Sequence, residues 1–91
     1  MKISKTTMNF ADQRKFKIAV LSERKEVRVS KRIRNKNWTL KLELNARGLF
    51  FKTTNLPGIV REEIPYWVET DKHLREVIRF FNQEIPKIKG A

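Results

Sequence analysis

A chain of 91 residues without cysteine is long enough for one modest core, burying about 60–65% of the unfolded surface, and too short for two domains. Missing cysteine removes disulfides and thiolate metal sites and fits an intracellular setting, in cytoplasm, nucleoid or nucleus; no apolar run approaches the ~20 residues of a membrane span, and no apolar stretch follows the basic N-terminus, so no secretory signal is expected. The formal net charge of +11 is concentrated: residues 14–52 hold 13 Lys/Arg against 3 Asp/Glu, a net +10, whereas residues 53–91 hold 6 of each, and a field this lopsided attracts a polyanion such as nucleic acid, an acidic membrane surface or an acidic protein.

Residues 1–11 show no hydrophobic period and read as a flexible basic N-terminal arm, with Lys2 and Lys5 free to lie along phosphates. From Arg14 to Leu21 the chain alternates, with Phe16, Ile18 and Val20 on one side and Lys15, Lys17, Ala19 and Leu21 on the other. A helix over Asp12–Lys25 competes, because Phe16, Ala19 and Val20 also fall at helical spacing; the β-branched content and the turn-like Ser22-Glu23-Arg24-Lys25 favour a strand.

Three further strands are expected over Val27–Arg34, Trp38–Asn45 and Leu49–Thr54, joined by turns at Arg34-Asn35-Lys36-Asn37 and Asn45-Ala46-Arg47-Gly48. Gly48 can supply the positive φ that short hairpin loops often demand. Because successive strand residues point to opposite faces, one face gathers Val27, Val29, Ile33, Trp38, Leu40, Leu42, Leu44, Leu49 and Phe51. The opposite face gathers Arg28, Ser30, Arg32, Arg34, Thr39, Lys41, Asn45, Phe50 and Lys52.

Pro57-Gly58 predicts a type II turn. Pro65 limits Ile64–Val68 to weak edge-strand character, and both Trp38 and Trp67 read as core. Thr70 or Asp71 then caps a helix reaching to about Ile85, with an apolar stripe of Leu74, Val77, Ile78, Phe81 and Ile85. Residues 87–91 read as a frayed tail. The fold class is therefore α+β: a curved antiparallel sheet of four to five strands backed by one C-terminal helix, forming a single domain over residues 12–86.

Catalysis has little to stand on. His73, the only histidine, lies off the apolar stripe, and the acids near the helix start match no metal spacing; neither a phosphate loop nor a Ser/His/Asp set occurs, so no enzyme, cofactor or small-molecule substrate is expected. The basic face suits nucleic acid: cations neutralise phosphates and an aromatic among them offers a base a stacking platform. The residues expected to bind are Lys17, Arg28, Arg32, Arg34, Lys41, Asn45, Arg47, Phe50 and Lys52, with single strands favoured over duplex because Arg75 and Arg79 alone give the helix too thin a basic face for the major groove. A non-enzymatic interaction protein that docks an acidic protein partner through the same face is the alternative, and a ribosome-associated or duplex-binding architectural protein is a third reading.

Ser30-Lys31-Arg32-Ile33 and then Trp38 to Lys52 (SKRI, WTLKLELN, NARG and LFFK) resemble the PUR repeat of the purine-rich-element-binding, Pur-alpha-like proteins. That repeat has a Ser-Lys-Arg-aliphatic start, an aromatic-led alternating strand, Asn-Ala-Lys/Arg-Gly and a strand beginning Arg-Phe. The resemblance implies a four-stranded antiparallel sheet crossed by a helix, two repeats intertwining to bind single-stranded, often purine-rich, DNA or RNA in transcription or RNA handling. Asn45 and Arg47 match its polar loop positions and Phe50 its aromatic after the glycine, whereas Leu49 stands for the usual Arg and Glu43-Leu44 for the usual Lys-Gln. Whirly-type single-strand binders share a similar plan. A single repeat lacks its second half, so a homodimer is expected, with Phe80 as an exposed apolar contact.

Overall fold

Period-two alternation through the middle of the chain produces an antiparallel meander. The computed structural model describes residues 2–88, which run α1 (Lys5–Gln13), β1 (Lys17–Leu21), β2 (Glu26–Ile33), β3 (Lys36–Asn45), β4 (Gly48–Thr54), α2 (Gly58–Arg61), β5 (Trp67–Val68) and α3 (Asp71–Glu84). The five strands pair in sequence order, every neighbour antiparallel, in one open sheet. The fold is α+β, as expected.

One face of the sheet is core. Val27, Val29, Trp38, Leu40, Leu42, Leu49 and Val68 are buried there against Leu74, Val77, Ile78 and Phe81 of α3 and the following Ile85. Those five side chains contribute about 1.5–3 kcal/mol each before conformational entropy is counted. Thr70 caps α3 by accepting a hydrogen bond from the His73 N–H at 3.1 Å. A β-bulge shifts the β3–β4 register between Lys41 and Leu42, so that Lys41 faces Thr53 while Leu42 faces Phe51, which leaves Lys52 as the extra residue and sharpens the local twist.

Several expectations are corrected. Of the expected arm over residues 1–11, the described residues 2–11 are not an arm: from Lys5 the chain forms α1, capped by Ser4 and packed on α3. The Ser4 and Thr7 hydroxyls each donate to Asp71 at 2.6 Å, and Arg75 donates to the same carboxylate at 2.7 Å. Burial pushes the Asp71 carboxyl up, but the hydrogen bonds from Ser4 and Thr7 and the Arg75 charge outweigh it and hold it below its ordinary value. Strand β1 begins at Lys17 rather than Arg14, because Lys15 takes a positive φ where α1 ends; the competing helix over residues 12–25 does not form. Arg34 belongs to the two-residue β2–β3 turn, also with positive φ, so it leaves the strand face, and Lys36 and Asn37 extend β3 instead.

Pro57-Gly58 opens the one-turn helix α2, drawn in by buried Val60, in place of a type II turn. The edge strand shortens to Trp67–Val68 because Pro65 has no N–H to give. Phe80 is half-buried against the core and Phe81 rather than exposed. Of the predicted frayed tail, Lys87 closes a 3-10 turn with its ammonium on Glu84, and Ile88 packs on the core; residues 89–91 lie outside those described.

Candidate functional site

Among the described residues, no helix covers the second face of the sheet. Its register places Lys17, Ser30 and Thr39 in one row, Ala19, Arg28, Lys41 and Thr53 in the next, and Leu21, Glu26, Glu43, Phe50 and Trp67 in a third. With strands about 4.8 Å apart, β1 and β5 stand roughly 19 Å from each other across this face. The first two rows form an open groove of about 510 Å³ lined by Lys17, Ala19, Arg28, Ser30, Asn37, Thr39, Lys41, Thr53, Thr54 and Asn55. Three cations and a set of neutral hydrogen-bonding side chains line it, and no carboxylate does.

Asn55 ties the groove's end to β3: its side-chain oxygen accepts from the Thr39 N–H at 2.9 Å and its amide donates to the Asn37 carbonyl at 2.8 Å. The hydroxyl of Thr54 donates to the Thr39 carbonyl at 2.8 Å. These bonds hold the floor at its β4 side without consuming the cations.

Two acids, Glu26 and Glu43, sit in the third row of this face as cross-strand partners, Glu43 exposed and Glu26 buried. Glu26 is only 4% exposed and lies under Arg28, whose Nε donates to it at 2.6 Å, and Lys52, whose Nζ donates at 3.2 Å. The Arg28 hydrogen bond is the main cause that lowers the Glu26 carboxyl below its ordinary value; burial opposes it, and Lys52 adds to the lowering. Arg28 and Lys52 are thus partly neutralised within the fold. Among the described residues, Lys17, Arg32, Arg34, Lys41 and Arg47 make no ion pair.

The nine residues expected to bind therefore separate into groups. Lys17, Arg28 and Lys41 converge on the groove, Arg32 extends it beside Asn37, and Lys52 borders it from the bulge. Arg34 stands off at the β2–β3 turn. Asn45 and Arg47 lie at the other end of β3, where the Asn45 side-chain oxygen accepts from the Arg47 N–H at 2.8 Å. Phe50 is on the open face, but half-buried: Trp67 stacks on it at 6.0 Å with planes 11° apart, and Tyr66 meets it edge-on at 5.9 Å.

Compared with known proteins, the chain matches no family model, no curated protein and no solved structure. The geometry stands alone.

Trp67 is not core, contrary to expectation; it is 41% exposed, and Tyr66 is 72% exposed. Period-two alternation carried the signal, since buried Val68 puts its neighbour Trp67 on the opposite face, but the apolar weight of tryptophan overrode it. Asn37, Thr39, Thr53 and Asn55 were also missed as groove-lining residues. Lys31 points the other way, towards the helices: its Nζ donates to Asn82 at 2.9 Å and lies 5.1 Å from the Phe16 ring centroid, and burial lowers its ammonium. Among the described residues no helix is long and apolar enough to cross a membrane, and no group of three or more His, Asp or Glu is placed to hold a metal ion.

Proposed function

We propose that this chain is a non-enzymatic nucleic-acid-binding protein that holds single-stranded DNA or RNA across the open face of its sheet, in a regulatory role in transcription or RNA handling. The observation that carries the reading is the groove in which Lys17, Arg28 and Lys41 converge without a carboxylate on the face that no helix covers. Phosphates displace counterions from such cations in a way that is strong and largely blind to sequence.

Single strands are favoured over duplex because the helices offer nothing for a groove. Arg75 of α3 is held by Asp71, and Arg79 lies 5.7 Å from the Phe10 ring centroid. The open face instead ends in an aromatic group, which stacks unpaired bases. The similarity of residues 30–33 and 38–52 to the PUR repeat supports the same reading, although α1 and β5 add to that repeat's four-stranded plan. A homodimer belongs to the proposal as the way a single repeat gains its second half, and burial of Phe80 removes one motive for it. Titrating labelled single-stranded DNA, single-stranded RNA and duplex at two salt concentrations tests the reading. Single strands should bind more tightly than duplex, with affinity falling steeply in salt; equal affinity for all three would overturn it, and capture of one acidic protein after nuclease treatment would replace it.

A further inference from the structure

Three surfaces of the molecule are unexplained by the groove: the apolar hollow around Ile59 and Ile88, the open edge of β1 beside Val20, and the aromatic cluster at β5. At the first two, nothing identifies an occupant. The third joins a flat apolar surface to a free cation, and that pairing has a chemistry of its own.

We infer that Trp67, with Arg47 beside it, forms a subsite for one unpaired nucleotide, the base lying on the indole and the phosphate on the guanidinium. This rests on the nucleic-acid reading above and moves the stacking role from Phe50 to Trp67. Trp67 stands alongside Phe50 as its cross-strand partner, the rings near-parallel with centroids 6.0 Å apart. Strand β5 is the last in the sheet, so no further strand lies beyond the indole. Tyr66, edge-on to Phe50 and largely exposed, extends the apolar surface.

The indole is held in place before any ligand arrives. Its Nε1–H donates to the Arg47 carbonyl at 2.8 Å, and the Arg47 N–H is in turn anchored on Asn45. Gly48, at φ +129°, lets β5 approach: a Cβ there would stand 2.5 Å from the Val68 carbonyl oxygen and 3.2 Å from the Trp67 Nε1. A platform fixed in this way binds without the entropic cost of ordering it. Arg47 is exposed and makes no ion pair among the described residues, so the same turn that holds the ring presents a positive charge. A planar ring bonded to the backbone of an exposed arginine is complementary to a ligand that is both flat and anionic, the guanidinium being within a side chain's reach of the ring. A nucleotide in a duplex cannot use it, because both faces of its base are already stacked.

The test is titration of the full chain with oligothymidylate and, separately, with inorganic polyphosphate, which carries charge but no base, affinity being read by calorimetry and tryptophan emission followed alongside. The only other tryptophan, Trp38, is 4% exposed, so quenching reports Trp67. Oligothymidylate should quench; polyphosphate should bind without quenching. Trp67→Ala should weaken oligothymidylate by roughly 5- to 150-fold, the range of one base–aromatic stack, and leave polyphosphate affinity unchanged; Trp67→Phe, which keeps a ring and guards against a folding defect, should recover most of the loss. Equal weakening of both ligands, no weakening of either, or a change in sedimentation without a change in oligonucleotide affinity (a protein interface) would each overturn the subsite while leaving the groove intact. Failure of the wild-type chain to bind either ligand would overturn the nucleic-acid reading, and the subsite with it.

Discussion

Replacing Glu26 by Gln should make the protein bind single strands more tightly and with a steeper dependence on salt. In the native fold this carboxylate takes hydrogen bonds from Arg28 and Lys52, which leaves five of the expected cations, Lys17, Arg32, Arg34, Lys41 and Arg47, unpaired. If each neutralises one phosphate, the slope of log K against log salt is about −0.7 for each, or roughly −3.5 for the native chain. Releasing Arg28 and Lys52 raises the number of available cations to seven and takes the slope to about −5. Between 50 and 200 mM salt the native chain then loses about 100-fold in affinity and the variant nearly 1,000-fold, on the same relation. Fluorescence anisotropy with a labelled oligonucleotide at five or so salt concentrations gives both slopes. An unchanged or shallower slope for Glu26→Gln would refute the reasoning, since it would mean that Arg28 and Lys52 never face the ligand. The pH dependence has a defined sign: the folded carboxyl lies below its ordinary value of 4.5, so its stabilising contribution is fully present above that value and is lost as pH falls through the folded pKa. Neutral and mildly acidic solutions should therefore give the same native slope.

Three perturbations test the scaffold. Gly48→Ala should destabilise the fold and detach β5, because the new Cβ would stand 2.5 Å from the Val68 carbonyl oxygen at a φ that alanine rarely adopts; a red-shift in Trp67 emission at unchanged α3 helicity would show it. Arg34→Gly should raise the melting temperature, since a non-glycine residue in the left-handed region costs about 1–2 kcal/mol and 1 kcal/mol corresponds to about 4–8 °C in a domain of this size, while removal of a cation makes the salt slope shallower. Asp71→Ala should cost about 1–3 kcal/mol by orphaning its partners and loosen α1 before the sheet, visible as faster amide exchange in residues 5–13 alone. Acidification should do the same to the native chain only below the ordinary value of 3.8, because the folded Asp71 carboxyl lies lower still and its contribution vanishes as pH falls through that lowered pKa.

What could be read from the chain was whatever a local period encodes. The alternation in β2, β3 and β4 placed nearly every side chain on its correct face, and the stripe from Leu74 to Ile85 with Thr70 ahead of it located α3 to within a residue. Helix α1 escaped because nothing apolar and periodic marks it. It is fastened by Ser4 and Thr7 to a carboxylate 67 and 64 residues away, and a hydrogen bond of that span leaves no trace in neighbouring residues. Glu26 escaped too: a carboxylate beside a turn reads as solvated, and only Arg28, two residues along the same strand, together with Lys52 from two strands away makes its burial tolerable. In the site, the cations were legible by face, but which of them remain unpaired was not.

The distribution of charge over the two faces bears on why the sheet is built this way. Arg28 and Lys41 are direct cross-strand partners, and like charges so placed are destabilising; at physiological ionic strength the screening length is about 8 Å, longer than the spacing between adjacent strands. A surface needed only for solubility would mix its signs. This one segregates them by row: the groove holds Lys17, Arg28 and Lys41 with no carboxylate, while Glu26 and Glu43 stand together in the row beyond, Glu26 sunk beneath two of the cations. Glu26 relieves Arg28 and Lys52 but leaves Lys41 and Lys17 facing the groove with no counter-charge. The repulsion that remains lowers the stability of the free sheet, and on the proposed reading a phosphate chain laid along the groove would remove it. If the groove binds a polyanion as proposed, its affinity and the residual strain of the unliganded face come from one arrangement of side chains, and a substitution that eases the strain, such as a carboxylate introduced beside Lys41, should weaken binding.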